Sequence, residues 1–511
     1  MESDSIEFTE LPPLSGLSEG EGSLVRTPCP GTLRPRLQRI FLYTQPDGGS
    51  EDAGSNCVAH SPHGFLSLTL CGRIPLDVFV YIIGHMDRSA LLTAALVCWA
   101  WHRCALRSLY TTVELNSRAS YDLLVEQFRT SSRVKQRLTA TRILVVGSYD
   151  TKQGSAPFLD ALPAVFVNTL PMLRVLDIRQ ALRPVMHQTF YIALHQFKHL
   201  VSLRVSAVTL RSTDQLQRIV NAFPQLVALA LSNVAFMRYH STSRRSRCPP
   251  QTRSNLHLKE LGLHVDDSQV STDPVGALEH ISHWLESSGI HLHILTADIS
   301  PASANDHAFA CEQVDRLLST SGPYLTTFSS RFGGRIRHPR EFCSLVHNTA
   351  LQTLKLTLAF EPNDADRSTL ATELYATLST VRSYQLKRIV IVFYVGLQLD
   401  DGLHTVKLNR SHAALVTKWY GLHEIMGYPY YAILRDVDVR MDVVYNRRGH
   451  SQEWVDDIAR ALVPELQQLF MPWHARGIVN ISYTLRGVGL ANKQDPRVIY
   501  LSHSCVRSCT V

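Results

Sequence analysis

The stretch that decides the fold runs from Ile74 to Leu115 and reads IPLDVFVYIIGHMDRSALLTAALVCWAWHRCALRSLYTTVEL. Within it Val78, Ile82 and Met86 recur at every fourth residue, which is the spacing of one apolar helix face. Pro75 comes just before this pattern, and proline suits the start of a helix because its missing N–H is not needed there. The stretch therefore predicts a helix that begins next to Pro75.

Two more helices are predicted in the same stretch. Ser89 is a candidate N-cap for the second helix, which carries the apolar residues of the segment 91–96. Val97, Trp101 and Ala105 continue the four-residue spacing into a third helix. Three helices of this size bury little apolar surface, so we expect their stability to come from mutual packing together with a partner or the following domain.

This three-helix module resembles an F-box, the docking module by which a substrate receptor joins a cullin–RING ubiquitin ligase. The matching positions are Pro75, Asp77, Val78, Ile82, Met86, Leu92, Leu96, Val97, Cys98, Trp101, Leu109 and Tyr110. Two positions depart from the family pattern: Ile74 replaces the usual Leu, and Trp99 stands where a basic residue often follows the Val-Cys pair. The resemblance implies that the apolar positions pack against a Skp-type adaptor. The adaptor-binding residues it indicates are Ile74, Pro75, Val78, Ile82, Leu92, Leu96, Val97 and Trp101.

The two tryptophans of this module cannot share one role. Trp99 and Trp101 are two residues apart, so a single helix face cannot bury both. We expect one to pack inward and the other to reach a neighbour, and we expect truncation of Trp101 to weaken both the module and adaptor binding. The alternative is that the whole segment is a helical cap that covers the open end of the following repeats.

Beyond Leu115 a looser Leu-x-x-Leu-x-Leu pattern recurs, with Ile or Val at some positions. It stands at Leu173, Leu176, Ile178; Leu200, Leu203, Val205; Leu226, Leu229, Leu231; Leu258, Leu261, Leu263; Leu351, Leu354, Leu356; and Leu386, Ile389, Ile391. Each copy predicts a short strand whose alternate side chains enter a stacked core, and helix-like stretches lie between the copies. The fold class predicted is α/β: a small three-helix F-box-like module followed by an irregular right-handed leucine-rich-repeat solenoid.

The repeats lack one feature of regular leucine-rich repeats. The Asn or Cys expected three residues after the last apolar position is replaced by Ala181, Val208, Val234, Asp266, Ala359 and Tyr394. Without an asparagine ladder we expect the turns to lack their usual backbone hydrogen bonds. An irregular arc is therefore favoured over a uniform horseshoe.

The predicted domain organisation follows from these patterns. Residues 1–70 are expected to be a disordered or poorly ordered tail, 71–116 the F-box-like domain, 117–440 the irregular solenoid, and 441–511 a C-terminal repeat or cap with a flexible tail.

Composition narrows the class of protein further. The chain has 511 residues, of which 45% are hydrophobic and 19% charged, with a formal net charge of +7. These values favour a globular protein and do not indicate the concentrated basic face of a nucleic-acid-binding protein. Its ten cysteines form no CxxC pair, and neither a signal peptide nor a spanning helix is recognised. We therefore expect a cytoplasmic or nuclear protein with free thiols and no membrane or nucleic-acid partner.

The repeats indicate a binding surface and no reactive site. The residues between the inward positions of the strands, among them Asp177, Arg204 and Lys355, are expected to point outward and are the candidate substrate-binding residues. The histidines between 280 and 293 lack the Cys or acidic partners of a metal site, and no phosphate loop or nucleophile elbow is present. We therefore predict no catalytic residues, no metal and no cofactor.

The order of the modules is similar to that of F-box proteins found in large numbers in mushroom-forming fungi. This resemblance implies the non-catalytic substrate receptor of a Skp–cullin–F-box ubiquitin ligase, with a Skp-type adaptor, a cullin ligase and an unknown protein substrate as partners. A scaffold whose repeats bind a partner without any link to ubiquitin is the alternative. No sequence motif supports a hydrolase or a transferase.

Overall fold

A computed structural model describes the protein from Pro75 onward. The described residues are 75–147, 157–237, 256–266, 274–300, 303–332, 343–360, 364–397, 412–446, 452–488 and 507–508. All of them belong to one structural unit, Gly72–Val511. The predicted tail at residues 1–70 and the candidate docking residue Ile74 lie outside the described residues.

Three short helices open the described chain: α1 (Leu76–Gly84), α2 (Arg88–Ala94) and α3 (Trp99–Thr111). The first turn closes when the Val78 N–H donates to the Pro75 carbonyl at 3.0 Å. The three helices share a small core of their own, formed by Ile83, Leu91, Ala94 and Ala105. This core is separate from that of the rest of the chain, so the helices form a distinct packing unit.

The N-cap of α2 is Asp87, two residues before the predicted Ser89. The Asp87 carboxylate accepts a hydrogen bond from the Ala90 N–H at 2.7 Å, and the Ser89 hydroxyl donates to the same oxygen at 2.8 Å. These bonds lower the pKa of Asp87. A cap must lie outside the first helical residue to reach an unpaired amide of the first turn, and Ser89 already lies inside the helix.

The last helix of this module continues directly into a strand. After α3, strand β1 (Thr112–Leu115) pairs in parallel with β2 (Ile143–Val146). Helices α4 (Arg118–Thr130) and α5 (Ser132–Leu138) make the crossover between the two strands. The F-box-like module is therefore joined to the repeats through the first strand of their sheet.

Strands and helices then alternate along the chain. The further strands are β3 (Val175–Arg179), β4 (Ser202–Ser206), β5 (Thr209–Leu210), β6 (Ala228–Ser232), β7 (Ala235–Phe236), β8 (Glu260–Asp266), β9 (Ile294–Ser300), β10 (Thr327–Phe332), β11 (Thr353–Phe360), β12 (Arg388–Leu397), β13 (Asp436–Asn446), β14 (Val479–Val488) and β15 (Arg507–Ser508). The further helices are α6 (Leu162–Phe166), α7 (Gln188–Leu194), α8 (Thr213–Asn221), α9 (Pro274–Ser287), α10 (Ala304–Ser321), α11 (Asp364–Ser379), α12 (His412–Met426), α13 (Gln452–Leu469) and α14 (Met471–Ala475).

One long sheet runs through the structure. It has 13 strands in the order β1-β2-β3-β4-β6-β8-β9-β10-β11-β12-β13-β14-β15, and β5 pairs with β7 in a separate two-stranded sheet. Neighbouring strands of the long sheet are parallel, except β15, which is antiparallel to β14. This arrangement confirms the predicted mixed α/β solenoid, while its right-handed sense stays a prediction from the general rule for parallel crossovers.

Every apolar pattern position of the six predicted Leu-x-x-Leu-x-Leu copies is buried. In the second copy, for example, Leu200, Leu203 and Val205 have no exposed surface. Strand alternation sends the second and third apolar positions of each copy to the same side of the sheet, where the helices cover them. These residues form one continuous core that extends from Leu115 to Tyr483.

The repeats become longer toward the C-terminal end. Successive strands begin at residues 175, 202 and 228 in the early part and at 388, 436 and 479 in the late part, and the late strands are also longer. The boundary predicted at residue 440 falls inside β13, because the parallel sheet continues through β14. Strand β13 lacks the leucine pattern, whereas β14 lies in the segment expected to hold a C-terminal repeat or cap.

The turns after the early strands do have backbone hydrogen bonds, contrary to the expectation from the missing asparagines. Gln180, Ala207 and Asn233 adopt φ values of 51°, 52° and 49°. Their N–H groups donate to the carbonyls of Ser206, Ser232 and His264 on the neighbouring strands, at 2.9, 2.7 and 2.8 Å. The left-handed backbone turns each N–H toward the next repeat, so these backbone hydrogen bonds form without a ladder of asparagine side chains.

Candidate docking surfaces

The helices of the F-box-like module have buried and exposed apolar faces. Phe79 and Ile83 of α1 are buried, whereas Val78 and Ile82 on the same helix are exposed. Pro75 is exposed as well, at the start of the helix. The predicted docking residues of α1 therefore lie on the side that the module's own core leaves uncovered.

The junction between α2 and α3 is the most exposed apolar segment of this module. Leu92 and Val97 are exposed, and Leu96 is 79% exposed. The Leu96 and Val97 N–H groups donate to the carbonyls of Thr93 and Ala94 at 3.0 and 3.2 Å, so a hydrogen-bonded turn holds this segment. The segment presents apolar side chains on a fixed backbone.

The two tryptophans of α3 lie in different environments, as their spacing predicts. Trp101 is partly buried and packs against the module's core, with its ring 5.8 Å from that of Phe79 in an edge-to-face arrangement. Trp99 is 72% exposed, and the guanidinium of Arg103 lies 5.0 Å from its ring. Trp101 thus contributes to packing within the module, whereas the exposed Trp99 was missed as a docking candidate because it departs from the family pattern.

The strand face of the solenoid carries the other predicted site. Strand register places Asp177 of β3 beside Arg204 of β4, and the same row continues across the sheet to Lys355 of β11. Arg204 and Lys355 are exposed, as predicted, but four strands lie between β4 and β11. The structure therefore does not bring these two cations together.

Asp177 differs from its prediction because it is only 4% exposed. Its Oδ2 accepts hydrogen bonds from Arg179 Nε at 3.1 Å and Nη2 at 2.7 Å. The two residues are two apart on one strand, so both side chains lie on the same face and the longer one covers the shorter. Asp177 therefore orients Arg179 and does not itself present a carboxylate to solvent.

Ion pairs occupy the later part of the same face. Asp298 lies 3.0 Å from His264 Nδ1 and 3.6 Å from Arg331, and the Arg331 guanidinium lies 5.0 Å from the ring of Tyr394. The hydrogen bond with Asp298 raises the pKa of His264, although desolvation opposes it. The charges on this part of the face are largely paired with one another.

Two buried thiols lie in the helical layer. Cys311 of α10 has its Sγ 3.6 Å from His307 Nδ1, and hydrogen bonds with Cys343 and His307 lower the pKa of Cys311 to about 6. Across the part of the chain that the structure describes, no group of three or more His, Cys, Asp or Glu side chains could hold a metal ion. None of the described helices is both long and apolar enough to cross a membrane.

Comparison with known proteins identifies the first module. The F-box-like family model matches residues 71–116. A search of curated proteins gave no match. Among solved structures, the leucine-rich repeat-containing protein LegL7 from Legionella pneumophila is 14% identical, over 60% of this chain and 97% of LegL7, with a TM-score of 0.30. The Toll–Spatzle complex from Drosophila gives 12% identity over 62% of this chain and 42% of that chain, with a TM-score of 0.23.

With TM-scores this low, neither solved structure bears on function. The family match and the parallel sheet, on the other hand, agree with the two parts of the predicted architecture. Residues 71–116 are an F-box-like domain, and the α/β solenoid that continues from its last strand is leucine-rich-repeat-like.

Proposed function

We propose that this chain is a substrate-recognition subunit of a Skp–cullin–F-box ubiquitin ligase. The observation that carries the proposal is the set of exposed apolar residues on the F-box-like domain, above all Leu96 and Val97. Exposed apolar residues that cluster in one segment mark interaction sites, and burial of one leucine side chain contributes about 1.5–3 kcal/mol. A Skp-type adaptor that covers this segment would gain that free energy.

Adaptor docking uses residues that the module does not need for its own packing. Val78, Ile82, Leu92, Leu96 and Val97 are exposed while the small core of the module is complete without them. Pro75 belongs to the proposed surface by its place at the start of α1, and Ile74 is included from the sequence alone, as the residue before Pro75. Trp101 stabilises the module by packing against its core.

The chain would act by proximity. The adaptor and a cullin hold the F-box-like domain, while the solenoid holds a protein substrate near a charged ubiquitin-conjugating enzyme. The direct continuation of α3 into β1 links the two modules without a flexible spacer. A short rigid link raises the effective concentration of the bound substrate and narrows its orientation. The chain itself supplies no nucleophile in this mechanism.

The strand face of the solenoid is the proposed substrate surface, with Arg204 and Lys355 as contact residues. We also propose that the complex acts in the cytoplasm or nucleus. Asp177 enters this proposal only through Arg179, which it orients.

A scaffold without a ubiquitin link is the second candidate. The continuity of α3 and β1 favours it, because a helical module fused to the edge strand also serves as a cap for the first repeat. In this case the exposed apolar residues of the module would not bind a Skp-type adaptor.

Co-purification from cells separates the two candidates. Tagged full-length chain is compared with Leu96→Asp and with the control Leu123→Asp, which alters a leucine of α4 that is 54% exposed outside the F-box-like domain. Recovery of adaptor and cullin with the wild type and the control, but not with Leu96→Asp, supports the ligase subunit. Equal recovery of adaptor with both variants, or none with the wild type, favours the scaffold.

A further inference from the structure

A single row of residues runs along the edge of the sheet at which the strands begin. Each member precedes a strand, and its N–H donates to the carbonyl of the previous member. The row is Arg142, Arg174, Val201, Val227, Lys259, His293, Thr326, Gln352, Lys387 and Arg435, with N···O distances between 2.8 and 3.0 Å. These hydrogen bonds fix the row in one line across the repeats, from β2 to β13.

The charged members of this row are all basic. Arg142, Arg174, Lys259, Lys387 and Arg435 are exposed, and none forms an ion pair with a described residue. His293 adds an exposed imidazole to the row. The row therefore places positive charge along one edge of the solenoid.

The described parts of the connections that contain the row carry no carboxylates. The described segments that lead into the strands of the long sheet are 139–142, 167–174, 195–201, 222–227, 256–259, 288–293, 322–326, 343–352, 380–387, 427–435 and 470–478, and none of their residues is Asp or Glu. The last segment includes the short helix α14. The carboxylates that follow, at Glu260 and Asp436, are the first residues of strands, and Asp436 is paired with Arg388 at 3.0 Å. We name these connections the basic edge.

Helix dipoles do not account for this pattern. Cations stabilise the last turn of a helix, but the effect falls off within about one turn. Three row members lie more than one helical turn beyond the end of the preceding helix. Arg174 follows the helix that ends at Phe166, Lys387 the helix that ends at Ser379, and Arg435 the helix that ends at Met426. Their position next to the strands points to a role outside the helices.

Exposed apolar and aromatic side chains share the same edge. Met172, Tyr324, Tyr384, Ile433 and Met471 are exposed and lie in these connections. Tyr324 stacks on His291 with ring centroids 4.3 Å apart, and Tyr384 packs against Tyr430 at 4.7 Å. The edge therefore combines basic groups with apolar groups that water solvates poorly.

We propose that the basic edge binds an acidic protein segment that also carries apolar side chains. Positive charge selects an acidic partner, and the aromatic and aliphatic groups match its apolar residues. A nucleic acid fits less well, because a phosphate backbone would leave Met172, Ile433 and Met471 uncovered and would meet two half-buried valines, Val201 and Val227, within the row.

The length of the edge sets the size of the bound segment. Nine strand-to-strand steps separate Arg142, just before β2, from Arg435, just before β13, and at about 4.8 Å per step they span roughly 43 Å. An extended chain advances about 3.3 Å per residue, so a segment of about 13 residues reaches from one end to the other. Acidic residues near both ends would face the clusters at β2–β3 and β12–β13.

This inference deepens the proposed function, because it names the class of substrate segment that the repeats would bind. It rests on partner binding by the repeats and is independent of adaptor docking. The test measures binding of a fluorescent copolymer of glutamate and tyrosine to the full chain at low and high salt. The edge variant combines Arg174→Glu, Lys259→Glu and Arg435→Glu. The control combines Arg129→Glu, Arg133→Glu and Arg218→Glu, three exposed helical arginines, and changes the net charge equally.

We expect the edge variant to bind the copolymer about tenfold or more weakly than the wild type at low salt. The control should bind it about as tightly as the wild type, and added salt should weaken binding by the wild type. Equal weakening by both variants, or no binding by the wild type, overturns it. Tighter binding of single-stranded oligothymidylate or of vesicles containing phosphatidylserine, with the same dependence on the edge, also overturns it in favour of another partner class.

Two further measurements keep the outcome decisive. Circular dichroism establishes that each variant is folded, and the Gln versions of the three edge substitutions replace the Glu versions if those do not fold. Adaptor binding is measured on the same proteins and should not respond to the edge. Loss of copolymer binding with retained adaptor binding therefore separates this inference from the proposed function.

Discussion

The Thr141 hydroxyl donates a hydrogen bond to the carbonyl of Tyr110 at 2.9 Å, across 31 residues of sequence. Tyr110 lies in the last turn of the F-box-like helix α3, and Thr141 lies in the connection that leads into β2. Next to this bond, the Arg142 N–H donates to the Thr111 carbonyl at 2.9 Å. The two bonds fasten the F-box-like domain to the first repeat at the point where helix becomes strand.

Loss of the Thr141 hydroxyl should therefore weaken this junction. Thr141 is fully buried and Tyr110 is half-buried, so Thr141→Val leaves the Tyr110 carbonyl without this donor at a partly buried site. We expect a loss of about 1–2 kcal/mol in the free energy of unfolding. Thr139 is exposed and makes the same kind of bond, to the Gln136 carbonyl at 2.6 Å. Urea unfolding should show Thr139→Val within about 0.5 kcal/mol of the wild type. Equal effects of the two variants would contradict a specific role for the junction.

Gly147 is required by the turn after β2. Its φ is +93°, and an added Cβ would collide with the Arg179 carbonyl oxygen. We expect Gly147→Ala to cost about 3 kcal/mol or more, because backbone strain and a steric clash combine. Gly289 also has a positive φ of +64° but open space around it, so Gly289→Ala should cost only about 1–2 kcal/mol. A comparison of their urea midpoints tests this difference, and a Gly147→Ala protein as stable as Gly289→Ala would refute it.

The two tryptophans of α3 should separate stability from docking. Trp101→Ala removes a ring that packs on Phe79 and is expected to lower the stability of the module by about 2 kcal/mol, with weaker adaptor binding as a result. Trp99→Ala should leave thermal unfolding nearly unchanged, because that side chain is exposed. Thermal melts monitored by circular dichroism give the comparison. If Trp99→Ala destabilised the chain as much as Trp101→Ala, the assignment of Trp101 to the module's core would be wrong.

Pairing of His264 with Asp298 should make stability depend on pH. The hydrogen bond raises the pKa of His264 above its usual 6.5, so near that pH the folded state holds a proton that the unfolded state releases. The stabilisation is complete below about pH 6.5 and is lost as pH rises through the raised pKa. Urea unfolding between about pH 5.5 and pH 8 should therefore show that the excess stability of the wild type over His264→Gln shrinks with rising pH. A difference that does not vary over this range would contradict the pairing.

The apolar periodicities of the sequence predicted the architecture well. The four-residue spacing around Val78 and Ile82 placed a helix after Pro75, and the Leu-x-x-Leu-x-Leu copies located buried strands. The leucine pattern follows from burial in the core, whereas Val78 and Ile82 form an exposed apolar helix face. Strand β13 escaped this reasoning because its valines alternate with charged residues, as in Val437, Asp438, Val439 and Arg440, and it carries no leucines.

The site residues were predicted less completely, because their environment depends on contacts that the apolar periodicity of the sequence does not show. Asp177 was expected outside, but the arginine two residues later on its own strand covers it. The members of the basic edge lie a full repeat apart in sequence, so each one looks like a solitary surface cation until the strand register places them in one row. Local periodicity identifies what is buried, and only the register shows which exposed residues are neighbours.

The most direct test of the central claim is the dissociation constant of a purified Skp-type adaptor with the full chain. Leu96 is 79% exposed, so Leu96→Asp should leave the fold intact while it places a charge in the proposed interface. We predict that this variant weakens adaptor binding by at least about tenfold, from the lost burial of one leucine, and that Leu123→Asp binds like the wild type. An unchanged dissociation constant for Leu96→Asp, or no adaptor binding by the wild type, would contradict the account.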